Sequence, residues 1–162
     1  GMKCIYFDTV PKLTYGSATP MESMEALLRE SDFVSMHVPS MKSTENLIDE
    51  EQIAMMKKGA YLLNASRGKV VNLEATAAAL RSGKLGGAAI DVFPVEPETN
   101  GPGFVTPLQG CPNTILTPHV GGSTQEAQAK IGEEVATSII KVRAQPAAHM
   151  QIPLLQPRVF VQ

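Results

Sequence analysis

A chain of 162 residues with 43% hydrophobic and 19% charged side chains has enough apolar content for one domain with a core and is short for two full domains. A net charge of −2 supplies no basic field for nucleic acid or an anionic membrane, and no apolar run approaches the roughly 20 residues needed to span a bilayer. Cys4 and Cys111 lack any ligand-type spacing, so they read as free thiols of a reducing compartment; with no metal motif and no signal-peptide pattern, the expected location is cytoplasmic.

Five short apolar runs alternate with helical patterns, which predicts an α/β fold with a parallel sheet covered on both faces by crossover helices. The first run, residues 3–7, ends at Asp8. Thr19 with Glu22 fits a reciprocal capping box and Pro20 the first helical position, so a helix is expected to start there and present Met21, Met24, Leu27 and Leu28 on one face. The second run spans 33–38. Asp49 with Gln52 predicts the next helix start and Gly59 its left-handed stop, ahead of the third run at 60–64. Asn72 is placed to cap a helix over 73–82, with Gly83 as the stop before the fourth run at 87–92. Residues 94–113 show no periodicity, and loops of that length in a compact domain are usually functional. The fifth run spans 114–117. Ser123 with Glu126 then opens a helix whose Ala127, Ile131, Val135, Ile139 and Val142 share one apolar face. From residue 144 onward Pro146, Pro153 and Pro157 exclude a regular helix, dividing the chain into a domain at 1–143 and an extended tail at 144–162.

Ligands of open parallel sheets bind beyond the carboxyl ends of the strands. Those ends carry Asp8; His37, Val38 and Pro39; Ala65, Ser66 and Arg67; Asp91 with Glu96 close behind; and His119 with Gly121 and Gly122. Singly, each has an ordinary explanation as a turn former, a surface residue or a structural histidine. Together, His119, Glu96 and Arg67 supply a proton carrier, a carboxylate that steadies an imidazolium, and a fork for a substrate carboxylate. That set suits the reduction of a 2-keto acid. Asp8 can accept hydrogen bonds from adenosine ribose hydroxyls and would repel a 2′-phosphate, favouring NAD over NADP, whereas nearby Lys12 pulls the other way.

Asn64-Ala65-Ser66-Arg67-Gly68, then residues 89–97 and then Leu116-Thr117-Pro118-His119-Val120-Gly121-Gly122-Ser123-Thr124 resemble, in order, three signatures of the D-2-hydroxyacid dehydrogenase family. His37-Val38-Pro39 is similar to that family's loop beside adenine and ribose. Residues 106–108 and 121–128 look like the branch acting on 3-phosphoglycerate, although the glyoxylate, lactate and formate branches share the same three catalytic residues. The resemblance spans residues 1–141. It implies a Rossmann-type sheet, NAD as cofactor and a small 2-hydroxy or 2-keto acid as substrate. It further implies that Arg67 binds the substrate carboxylate and keto oxygen, that His119 is the general acid in reduction and base in oxidation, and that Glu96 hydrogen-bonds His119. Asp91 would face the nicotinamide carboxamide and Asp8 the ribose. Ala65, Ser66, Gly121 and Gly122 would line the cofactor groove, which Arg67 and His119 also border.

Two departures from the family pattern shape the expectation for this chain. Residues 1–3 resemble the end of the helix after the glycine-rich turn, so the first Rossmann strand and the G-x-G-x-x-G turn are expected to be lacking. In the order 3-2-1-4-5-6 that strand is central. A two-strand piece apart from a three-strand piece is therefore predicted, with exposed edges through which copies could associate. The second departure is the tail, which matches neither a substrate lobe nor a regulatory domain. Little dehydrogenase activity and weak NAD binding follow for the isolated chain, and the alternative reading is a non-catalytic remnant or subunit-association module.

Overall fold

Four strands pair in chain order into one parallel sheet: β3 (Phe33–Met36), β4 (Ala60–Asn64), β5 (Leu85–Ile90) and β6 (Thr114–Leu116). Two further strands, β1 (Ile5–Tyr6) and β2 (Thr19–Pro20), form a separate parallel pair. The computed structural model describes residues 1–14, 16–99 and 101–144, so all but the first residue of the expected tail lies outside it. The chain divides into two units that part between Pro118 and His119.

Side chains alternate along each strand with the period of two that an extended backbone imposes. Val34, Met36, Ala60, Leu62, Ala88 and Ile90 are buried in a core shared with Leu27 and Leu28 of α1 (Met24–Glu30), Ile53 of α2 (Glu50–Met55), and Ala77 and Leu80 of α3 (Leu73–Arg81). Phe33, Tyr61 and Ile115, on alternate positions, are exposed. The expectation of strands buried on both faces is thus corrected for β3 and β4, which bury only one set of side chains, whereas Ile5 and Tyr6 of β1 are both buried. Phe33 and Tyr61 instead stack on each other with ring centroids 4.9 Å apart, and a Cβ on Gly87 would meet the Tyr61 ring at 2.9 Å. Glycine at that position makes room for the ring.

The sheets separate as expected but with different membership. The run beginning at Phe33 joins the larger sheet, making it four strands, and β1 pairs with Thr19–Pro20, a strand where the capping pattern predicts a helix start. Thr19 donates its N–H to the Cys4 carbonyl at 3.0 Å and Met21 to the Tyr6 carbonyl at 2.7 Å, so β1 takes the flanking donors. Pro20 sits between them, where no N–H is needed. The true helix start is α1, capped by Ser23, whose Oγ accepts from the Ala26 N–H at 3.1 Å. Its apolar face survives the shift.

Other local signals hold. Asp49 accepts from the Glu50 N–H while Gln52 Oε1 accepts from the Asp49 N–H, closing the predicted box on α2. Asn72 Oδ1 accepts from Glu74 and Ala75 at the start of α3, and Gly59 and Gly83 adopt φ of 82° and 73°. The last helix, α4 (Gln125–Ala144), is capped one residue later than expected, by Thr124 Oγ1 accepting from the Ala127 N–H at 3.1 Å. Ile131, Val135 and Ile139 keep their helical spacing but are 50%, 52% and 63% exposed. Residues 94–113 form no helix or strand among those described, yet Leu108 is buried and Phe104 meets Phe93 edge-on at 4.8 Å.

Candidate functional site

The carboxyl ends of β1 and β3 open on a cavity of about 360 Å³, and four of the sequence-selected residues line it together: Asp8, His37, Val38 and Pro39. Most of its remaining wall is apolar, contributed by Phe7, Leu28, Met36 and Ile48 among others. Asp8 is half-buried. Its Oδ1 accepts from the Val10 N–H at 2.9 Å, fixing the turn, and Lys12 Nζ stands 3.8 Å from Oδ2. Lys12, the residue that argued against NAD, is therefore an ion-pair partner of the carboxylate that argued for it. His37 Nε2 lies 2.8 Å from Ser35 Oγ, and partial burial lowers the imidazole pKa below its usual 6.5, favouring the neutral ring. An apolar slot with one half-buried carboxylate at its mouth fits the adenosine part of a dinucleotide, whose ribose hydroxyls need an acceptor and whose base needs an apolar wall.

The second group sits on the loops after β4 and β5. Asn64 ends β4 almost wholly buried, and its Oδ1 accepts from both the N–H and the Oγ of Ser66 at 3.0 and 2.9 Å. Its Nδ2 donates to the Arg67 carbonyl at 3.0 Å. Ser66 is half-buried, whereas Ala65 and Arg67 are exposed on the same turn. The Arg67 guanidinium donates through Nη1 to the Ser66 carbonyl at 2.6 Å. Asp91 follows β5 directly, donating its N–H to the Asn64 carbonyl at 2.9 Å and accepting from Thr117 Oγ1 beyond β6. Farther along that loop, Glu96 Oε1 accepts from the Phe93 N–H at 2.8 Å. The two loops touch at Gly68, where an added Cβ would fall 2.0 Å from the Phe93 carbonyl carbon and oxygen. Arg67 and Glu96 are thus carried on packed, cross-bonded backbone.

His119 is the third residue beyond β6 and opens the second unit. Its backbone is left-handed, with φ of 53°, a region where His is more common than most residues. Gly121 and Gly122 have open space where a Cβ would be, and the Gly122 carbonyl accepts from the Gln128 side-chain amide of α4. Within the first unit, then, Asp8, His37, Val38 and Pro39 come together around one cavity. Ser66, Arg67, Asp91 and Glu96 lie on the coupled loops. Sequence reasoning placed Asn64, Gly68 and Thr117 inside the motifs but gave them no role of their own. A local signal existed for the first, since Asn followed two residues later by Ser is the chemistry of an Asx turn; the other two act on partners more than 20 residues away.

A parallel sheet with connecting helices and an acidic residue at a strand end over an apolar cleft defines a nicotinamide-dinucleotide-binding type of domain. The NAD-binding domain of D-isomer specific 2-hydroxyacid dehydrogenases matches residues 1–121, and the chain belongs to that family, whose cofactor is NAD. It is 54% identical over 141 residues to D-3-phosphoglycerate dehydrogenase of Dictyostelium discoideum, covering 87% of this chain and 35% of that protein. Among solved structures it is similar to apo D-mandelate dehydrogenase of Rhodotorula graminis, with 35% identity, a TM-score of 0.72, and coverage of 99% of this chain and 46% of that one. It is also similar to NAD-dependent formate dehydrogenase of Staphylococcus aureus in complex with NAD, with 31% identity, a TM-score of 0.68, and coverage of 85% and 40%. The chain spans about a third of the length of the phosphoglycerate dehydrogenase it matches. Among the described residues no helix is long and apolar enough to cross a membrane.

Proposed function

We propose that this chain serves the NAD-dependent interconversion of a 2-hydroxy acid and its 2-keto acid, with 3-phosphoglycerate and 3-phosphohydroxypyruvate as the pair, the oxidation that leads toward serine. The observation that carries the substrate is the 54% identity to a phosphoglycerate dehydrogenase over 87% of the chain. When bound, NAD supplies the hydride acceptor. The chain's own residues do the rest. Arg67 grips the substrate carboxylate through its planar fork, His119 takes the hydroxyl proton during oxidation and returns it during reduction, and Glu96 steadies the charged imidazole. Asp8 accepts from the ribose hydroxyls, Asp91 faces the nicotinamide carboxamide, and His37, Val38 and Pro39 wall the adenosine side. Ala65, Ser66, Gly121 and Gly122 border the remaining groove. Support for these roles comes from the parallel sheet, which ends β4, β5 and β6 at one edge, and from the cavity that Asp8 shares with the loop after β3.

Two measurements test the reading. Titrating the ¹⁵N-labelled chain with NAD should shift the amides of Asp8, Val10 and Val38, and Asp8→Ala should weaken that binding by on the order of tenfold, the loss of about one charge-assisted hydrogen bond. Shifts scattered elsewhere would remove the cleft from the cofactor site. Oxidation of NADH by the chain, expected to be slow, should be compared among 3-phosphohydroxypyruvate, glyoxylate and pyruvate. Preference for the first supports the assignment; preference for another moves the chain to that branch of the family.

A further inference from the structure

We propose that Asn64 is a positioning residue that fixes the Arg67 turn and the start of the Asp91 loop at once. This rests on the reading of Arg67 as the carboxylate fork. The argument begins with the cost of the side chain. Asn64 is 1% exposed at the end of a strand whose other inward residues are Ala60 and Leu62, and a buried amide is unfavourable there unless its hydrogen bonds are made. They are made, and all go toward the site. Two donors of Ser66 converge on Oδ1 and Nδ2 reaches the Arg67 carbonyl, so the side chain closes a turn whose only exposed cation is Arg67. The Asn64 backbone carbonyl meanwhile accepts from Asp91, tying the adjacent loop to the same residue. Gly68 completes the lock, pressing the far end of the turn against the Phe93–Pro94 peptide on the loop that bears Glu96. No other side chain of this size offers both acceptor and donor in that geometry: Asp lacks the donor and Leu lacks both. Arg67, left exposed with flexible methylenes, depends on its backbone for aim.

The test uses the full chain and two variants. Asn64→Asp keeps the acceptor for Ser66 and, when ionised, sets a carboxylate oxygen against the Arg67 carbonyl in place of the donor, whereas Asn64→Ala removes all three side-chain bonds. Hydrogen exchange at the Ser66 amide should stay slow in Asn64→Asp and accelerate at least about tenfold in Asn64→Ala, beyond any change at Leu62 in the same strand. Oxalate serves as the carboxylate probe, followed at the Arg67 Nε–H resonance. Its affinity should fall on the order of tenfold in both variants while NAD affinity at the Asp8 cleft is unchanged, a split that general loosening of the fold would not give. Unchanged Ser66 exchange in Asn64→Ala overturns the proposal. So does full oxalate affinity in Asn64→Asp when Arg67→Ala abolishes it. Should oxalate leave Arg67 of the native chain unmoved, the carboxylate-fork reading fails instead, and the Ser66 exchange together with the Arg67 Nε–H position in the variants decides the positioning role by itself.

Discussion

The loops after β4 and β5 and the segment from His119 to the end of α4 carry the two halves of the proposed chemistry, and they are held by different physics. In the first, Asn64, Gly68, Asp91 and Glu96 are fixed by hydrogen bonds and close approaches between residues far apart in sequence. In the second, the Thr124 cap and the bond from Gln128 to Gly122 join near neighbours in sequence, and the apolar positions Ile131, Val135 and Ile139 stand exposed. The proposed substrate-gripping side thus depends on contacts between distant residues, whereas helix capping and one left-handed residue shape the proposed proton-carrying side.

The largest expected break of that contrast comes from the core. Leu62, fully buried under the first region, should cost about 2–5 kcal/mol when changed to Ala, through lost burial and the cavity left behind. Ile139→Ala, on the exposed stripe of α4, should stay within about 0.5 kcal/mol. Urea denaturation of the two variants measures both, and equal losses would mean that the stripe is covered in solution.

A pair of glycines sharpens the comparison at intermediate size. Gly68→Ala drives a methyl into the Phe93 peptide, and overpacking against backbone typically costs about 1–3 kcal/mol, which should appear as a melting point lower by several degrees. Gly121→Ala meets open space and should leave the melting point essentially unmoved. Reversal of this order in thermal melts would show that the β4 and β5 loops are not locked together.

The smallest effect concerns His37. Its pKa is lowered in the folded chain, so the folded state binds fewer protons than the unfolded one at pH values between the lowered value and 6.5. The neutral ring's contribution is fully present above 6.5 and is lost as pH falls through that window. Thermal melts between pH 7.5 and 5.5 should therefore show a slightly steeper loss of stability for the native chain than for His37→Gln. A parallel pH dependence in the two would argue that the ring titrates normally.

Periodicity and capping chemistry in the sequence determined most of the local structure. The run at 60–64 is β4 residue for residue, Asp49 and Asn72 cap the helices they were expected to cap, and Gly59 and Gly83 take the left-handed stops. The strand-end residues were legible for the same reason: a short apolar run announces where its polar successor falls. Partners more than a few residues away were not legible. Thr19-Pro20 carries a sound helix-start signal, yet β1 supplies carbonyls for the flanking N–H groups and makes it a strand. Asn64 carries an Asx-turn signal, but only packing of the β4 turn against the Asp91 loop makes it a hub. Gly68 gave no local reason at all, because the atoms that exclude a side chain there belong to Phe93, and only the folded chain brings that peptide within 2.0 Å of where a Cβ would stand.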